Sequence, residues 1–334
     1  MLNIAVCSRW HPHATGYGRD FAAHPECNVT VIWDEDPVRG AEWAKELGCD
    51  FEPDFDKVLA RADVDAICST APTSMHKELY VKAAAAGKHI FTEKVLSATK
   101  AEALAVKEAV EKYGVKFVIS YPFRTSASII YAKKLIEDGT LGKVNYVRVR
   151  NCHNGISDNW LPADFTNPET TGGGAMMDLG AHPMYILSYL LGKPENVVSC
   201  YNKLYNTPVD DNCVSVIEFE NKVIAVSETG FVTCADPFSL EIHGTEGSFC
   251  TGGAAGGTWL YTRKTEGMGE KAWIRPNIPK PTVPSAINQF VGACLRDEEI
   301  VFGIDDAIKL SELMEGAYKA WKEGRKVEFS ELDA

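Results

Sequence analysis

Along the first third of the chain, short apolar runs alternate with stretches whose apolar residues recur at helical spacing. The runs are "LNIAVC", "NVTVIWD", "VDAICST", "KHIFTE" and "VKFVIS", and between them lie segments such as "AEWAKELG" and "KELYVKAAAAG". Strands regularly interleaved with helices predict right-handed βαβ units and a parallel sheet. One helix from about Lys77 is expected to stop at Gly87, and "KAEALAVKEAVEKYG" at Gly114, because glycine takes up the left-handed turn that ends a helix at little cost.

The period then changes. After a helix in "YPFRTSASIIYAKKLIEDGTLG", closed by Gly139 or Gly142, longer runs follow: "KVNYVRVRNCH", "NVVSCYNKLY", "NCVSVIEFEN", "KVIAVSETGF", "FSLEIHG" and "GSFCTGG". Their polar/apolar alternation and short turns predict a mainly antiparallel sheet with one solvated face. The tail "DDAIKLSELMEGAYKAWKEG" reads as one amphipathic helix. A chain of 334 residues exceeds most single cores, so two domains are expected, residues 1–122 and 123–334, with the C-terminal helix packing back.

Charge narrows the partners. The 34 basic and 46 acidic residues leave a net charge of −12, which repels nucleic acid and anionic membrane surfaces. No run approaches the roughly 18 apolar residues of a membrane span, and "MLNIAVC" lacks the basic segment and apolar run of a signal peptide. Ten cysteines stand singly without a Cys-x-x-Cys pair, as expected of buried reduced thiols in a cytoplasmic protein.

Open α/β sheets bind ligands at the carboxyl ends of their strands, so the residues there are the candidates. Asp34 ends the second strand, where an acid takes the hydroxyls of an adenosine ribose or, equally on spacing, caps a helix. Asp36 is the better cap, with Pro37 in the first helical position, which leaves Asp34 to the ribose. The small-residue turn Thr70, Ala71 and Pro72 admits close approach of a cofactor, and His76 follows it, more a helix-start residue than a ligand by itself. Glu93 and Lys94 end the fourth run; a solvated loop pair is the plainer alternative. In "TTGGGAMMDLGAHPMYILSYLLG", Asp178 and His182 stand four residues apart and share a face if helical, either as a reactive pair or as a buried structural one.

Taken together, the βαβ segment ending in Glu93-Lys94, the glycine-rich loop, "DLGAH" (Asp178 to His182) and the later antiparallel sheet resemble the Gfo/Idh/MocA oxidoreductase family across essentially the whole chain. The resemblance implies an α/β fold with an N-terminal Rossmann domain that binds NAD(P). It also implies a second α+β domain whose open sheet mediates homo-oligomers. Carried over by position, it makes Lys94, Asp178 and His182 the catalytic residues. Two departures follow the motif: Val95 stands where the family has proline, and Tyr185 where an acid is usual.

The third departure is "SRWHPHATGYG". A dinucleotide fingerprint would place glycines here, whereas Ser8 takes about the first glycine's position and the loop is expected to be lengthened before a helix near Ala14 or Thr15. Ser8 and Arg9 are expected to bond phosphate, and His13 to reach towards substrate. His11 and His13 could be read as metal ligands, but with no third ligand nearby in sequence no metal is expected.

Two activities fit: NAD-dependent oxidation of a secondary hydroxyl of a sugar, polyol or glycoside, or a redox-neutral reaction with retained cofactor in which His11 or His13 carries an added proton. A non-catalytic sugar or cofactor sensor is the reading from another class. Asp34 favours NAD over NADP, with Arg39 as the residue that would stack on adenine or meet a 2′-phosphate. Arg124, His153, Asn154 and Trp160 are expected near a hydroxyl-rich substrate, alongside His13 and His182.

Overall fold

A computed structural model describes residues 1–235, 238–254, 256–263 and 272–333. The chain divides into two compact units: 1–121 with 284–308, and 122–283 with 309–334. The segment 284–308 thus joins the first unit instead of following residues 123–334. The physical reason is its helix Ala286–Arg296, whose Phe290 and Val291 are fully buried in the first unit's core with Ile4, Val6, Phe21, Ile32 and Phe91.

In the first unit, strands β1 (Leu2–Cys7), β2 (Cys27–Trp33), β3 (Asp50–Phe51), β4 (Ala66–Ser69), β5 (His89–Thr92) and β6 (Phe117–Ile119) form one parallel sheet in the order β3-β2-β1-β4-β5-β6. The order reverses between β1 and β4, which opens a crevice at their carboxyl ends. Helices α1 (Ala14–Ala23), α2 (Pro37–Leu47), α3 (Phe55–Ala60), α4 (His76–Ala85) and α5 (Lys100–Tyr113) connect the strands. As the sequence predicts, Asp36 caps α2 by accepting from the Val38 and Arg39 N–H groups, with Pro37 in the first position. Helix α5 ends at Gly114, whose φ of 65° is left-handed.

The second unit holds α6 (Ala127–Glu137), α7 (Pro168–Thr171), α8 (Ala175–Asp178) and α9 (Ala181–Leu191). Its eight-stranded sheet comprises β7 (Val144–Cys152), β8 (Pro194–Asn202), β9 (Asn212–Phe219), β10 (Ile224–Gly230), β11 (Ser239–Gly244), β12 (Gly247–Gly252), β13 (Thr258–Thr262) and β14 (Val327–Glu328), ordered β13-β12-β11-β7-β10-β9-β8-β14. All pairs are antiparallel except β7 with β10. Burial alternates along β9, and the outward positions carry Val214 and Val216, joined by Val198 on β8 and Ile224 on β10. The amphipathic tail is one helix, Ile304–Glu323. All ten cysteines are free thiols, but Cys200 and Cys234 are exposed, so the expectation of uniformly buried thiols is corrected. No helix among the described residues is long and apolar enough to cross a membrane.

Candidate active site

The connection from β1 to α1 is Ser8 to His13, six residues, so the loop is not lengthened but is an ordinary βα turn rebuilt without glycine. Ser8 adopts the left-handed φ of 69° that a glycine would take without cost. Its surroundings hold it there: its N–H donates to Trp33 O (2.7 Å), its Oγ accepts from the Trp10 N–H (3.1 Å), and its carbonyl accepts from Thr70 Oγ1 (2.6 Å). Thr70 is therefore a strut of the turn. The Arg9 guanidinium reaches the first turn of α1, its Nε 3.2 Å from Thr15 Oγ1, and also bonds Glu46 and sits 5.7 Å from the centre of the Trp43 ring.

The end of α1 nevertheless fits an anion. His13, its cap residue, makes no side-chain cap bond, and the first turn holds no acid, so the helix presents its N–H groups and positive dipole end uncompensated by its own side chains. Asp34 is buried at the end of β2, where a ribose acid belongs. Its carboxylate accepts from the Arg9 N–H (2.8 Å), the Asp36 N–H (2.8 Å) and the Arg39 guanidinium (2.6 Å), which also reaches Glu35. Arg39 is thus held against two acids in this state. His76 is buried, with Nε2 2.8 Å from Ala71 O and Nδ1 2.9 Å from Val95 O, so it ties the Thr70–Pro72 turn to the segment after Lys94 as a brace.

Glu93 and Lys94 follow β5 and are 2% and 5% exposed, which removes the solvated-loop reading. Glu93 Oε2 accepts from the Tyr17 hydroxyl (2.7 Å) and meets His13 Nδ1 at 3.1 Å. Burial opposes the Glu93 charge, but the His13 bond and the fields of His11, His13 and Lys94 outweigh it and hold the carboxyl well below the usual range. Burial, then the Glu93 charge, pushes the Tyr17 phenol well above its ordinary value, so it remains a donor. Tyr17 is a site residue that sequence reasoning missed. Its signal was spacing, since it stands four residues after His13 on the same face of α1.

In the second unit, Asp178 ends α8 and His182 lies in the first turn of α9. The two short helices meet at Gly180, where a Cβ would fall 2.4 Å from Met176 Sδ, so only glycine permits the join. His182 is 6% exposed, and its Nδ1 lies 2.9 Å from the Tyr185 hydroxyl, which accepts the Phe123 N–H at 3.1 Å. The residue replacing the family's usual acid therefore orients the imidazole. Arg124 is buried with its guanidinium 4.5 Å from the Tyr189 ring centre. His153 stacks on Phe231 and lies 4.6 Å from the half-exposed Trp160, whose Nε1 donates to Asn154 Oδ1 (3.0 Å).

A Rossmann sheet with a buried lysine after its fifth strand defines a nicotinamide-linked oxidoreductase architecture. The chain belongs to the Gfo/Idh/MocA oxidoreductase family: residues 12–121 match the "Oxidoreductase family, NAD-binding Rossmann fold" model, and residues 129–250 the "GFO/IDH/MocA C-terminal domain" model. Similar proteins include scyllo-inositol 2-dehydrogenase (NAD(+)) of Bacillus subtilis, 30% identical over 68% of this chain and 67% of that protein. Another is 2,7-anhydro-N-acetylneuraminate hydratase of Mediterraneibacter gnavus, 29% identical over 64% of this chain and 58% of that protein. The match thus spans about three fifths to two thirds of these relatives' length. Among solved structures, GenD2 from gentamicin A biosynthesis in complex with NAD is 26% identical with a TM-score of 0.84, covering 98% of this chain and 96% of that one.

Proposed function

We propose that the protein is an NAD-dependent oxidoreductase acting on a secondary hydroxyl of a sugar, polyol or glycoside. The observation that carries this is Lys94, a buried ammonium group immediately after Glu93 at the carboxyl end of β5, in a sheet whose order reverses between β1 and β4. The N-terminal turn of α1, which has no side-chain cap bond, would hold the pyrophosphate, Asp34 the ribose hydroxyls, and the Thr70–Pro72 turn the backbone beside the nicotinamide ribose. Asp34, already paired with Arg39, favours NAD over NADP. When bound, NAD supplies a hydride acceptor.

The chain's own residues manage the proton. His182, held at Nδ1 by Tyr185, is the second unit's candidate to take a hydroxyl proton, at Nε2, and Lys94 is the first unit's candidate to stabilise a developing alkoxide. Asp178 supports the charged imidazole. Trp160, with Asn154 bonded to its indole, offers a ring face beside polar groups, as suits a carbohydrate. The similarity to scyllo-inositol 2-dehydrogenase and to levoglucosan dehydrogenase of Pseudarthrobacter phenanthrenivorans supports the substrate class. The row of Val198, Val214, Val216 and Ile224 on the exposed sheet face supports a homo-oligomer, and light scattering showing a monomer would remove that part.

The test is single substitution, Lys94→Met and His182→Asn, assayed over a sugar and polyol panel. Turnover is expected to fall by about 10²-fold or more in each while NAD binding persists. Wild-type hydride transfer in both variants overturns the assignment. A second reading, a redox-neutral cycle with retained cofactor, is favoured by the hydratase relatives and by the two histidines of the β1–α1 turn. Protein purified without added nicotinamide and then denatured separates the two. Released NAD supports the cycle, whereas absence of NAD with NADH formed in step with substrate consumed excludes it.

A further inference from the structure

The proposed reaction leaves one cluster of the first unit unused. His11 and His13 stand on the β1–α1 turn, and Glu93, eighty residues beyond His13, is brought to them by the sheet. One donor atom from each of the three lies within 4.8 Å of the others, and the two imidazole rings are 4.5 Å apart between centres. The third ligand that the sequence failed to show is supplied by the end of β5.

We propose that His11, His13 and Glu93 bind a divalent transition-metal ion. Two imidazoles and one carboxylate form a donor set of intermediate softness, suited to zinc, cobalt or iron(II) and not to the all-oxygen cages of calcium or magnesium. The carboxylate supplies an independent observation. Glu93 is 2% exposed, and its Oε1 is buried and accepts no hydrogen bond among the described residues, although a buried carboxylate oxygen ordinarily finds a donor or a cation.

The other oxygen is already oriented as a ligand's would be. Tyr17 donates to Oε2 and is itself 2.7 Å from Ser120 Oγ, so the acid is aimed by a hydrogen-bonded support outside the donor set. Two contacts would be exchanged for metal bonds: His13 Nδ1 to Glu93 Oε2, and the His13 N–H to His11 Nδ1. Each is 3.1 Å long. The His13 side chain is 45% exposed, giving an ion a path inward and the imidazole room to close on it. Three protein ligands leave coordination positions for water or a substrate oxygen, the arrangement of a reactive metal site and not of a structural one.

The experiment uses the full-length protein, dialysed against chelator without nucleotide, and titrated with Co²⁺ alone and then with Zn²⁺. The expected result is one equivalent of Co²⁺ with visible d–d bands of a nitrogen/oxygen site, displaced by Zn²⁺. His13→Ala and His11→Ala should each weaken binding by at least about 10²-fold, and Glu93→Gln likewise, while His24→Ala leaves it unchanged. Should Glu93→Gln or His11→Ala fail to fold by circular dichroism, the largely exposed His13 decides the matter. Absence of a bound equivalent, or affinity unchanged in His13→Ala, overturns the proposal. So does a near-ultraviolet thiolate charge-transfer band, which would place the ion on exposed Cys200 or Cys234.

Discussion

Asp210 of the second unit and Glu93 of the first are buried to nearly the same degree, 1% and 2% exposed, and are satisfied in opposite ways. Asp210 Oδ1 accepts from the Gly174 N–H (3.0 Å) and the Tyr318 hydroxyl (2.8 Å), and its Oδ2 from the Met176 N–H (2.8 Å) and the Cys213 thiol (3.0 Å). The glycine loop is shaped for this contact, since a Cβ on Gly174 would meet Asp210 O at 2.0 Å. Glu93 has donors on one oxygen and none on the other among the described residues. Saturation by surrounding backbone and side-chain donors marks an acid that holds a loop; an oxygen left over marks one that is set up to meet something else.

The largest expected effect separates these two acids by stability. Asp210→Ala strands two buried N–H groups and the Tyr318 hydroxyl, and should cost about 3 kcal/mol or more of unfolding free energy, read as a shift in the urea midpoint. Glu93→Gln keeps the shape and an acceptor for Tyr17 but loses the charge that His13, His11 and Lys94 stabilise, and should cost less than Asp210→Ala, which strands more buried donors. Equal losses in the two variants would break the distinction.

The same contrast explains what could be read in the sequence. The parallel sheet, the antiparallel sheet and Asp36 as the α2 cap depend on local periodicity and short-range capping, and these patterns show in the letters. Strands β3 and β14, two residues each, are too short to carry a period, and the 284–308 segment joins the first unit through Phe290 and Val291, a non-local packing choice. At the candidate site, Lys94 and His182 stood out by motif. Tyr17, a partner of Glu93, did not, because it meets the acid from another element; Tyr185 showed only as a departure from the motif, and its acceptance of the Phe123 N–H, 62 residues away, did not show. His76 reads in the sequence as more a helix-start residue than a ligand, and it does open α4; its bonds to Ala71 and Val95, which make it a brace, are not visible in the letters.

A smaller effect sharpens the view of the second unit as a place where neutral groups position a base. Tyr185→Phe removes the hydroxyl between Phe123 and His182 without emptying the core. Turnover is expected to fall about tenfold, equivalent to about 1.4 kcal/mol in the barrier, with KM nearly unchanged and the pH profile of kcat displaced. A merely structural role for Tyr185 would lower stability and leave that pH profile in place.

The smallest effect tests whether saturation, and not the unit in which a group lies, decides its character. His76 is a first-unit residue whose ring nitrogens, like the oxygens of Asp210, all have partners, here the carbonyls of Ala71, Val95 and Leu96. Burial lowers its pKa below the ordinary 6.5 and outweighs the carbonyl contacts that favour a charge. The unfolded chain therefore binds a proton more readily than the folded one. The stability contribution is complete above the unfolded value and is lost as pH falls below it towards the folded one. Thermal unfolding followed from about pH 7.5 down to about pH 5.5 should show Tm declining in the wild type, and declining less steeply in His76→Gln, which keeps a donor but cannot titrate. Parallel slopes would mean that His76 takes up its proton equally in the folded and unfolded states, and would confine the comparison to the two acids.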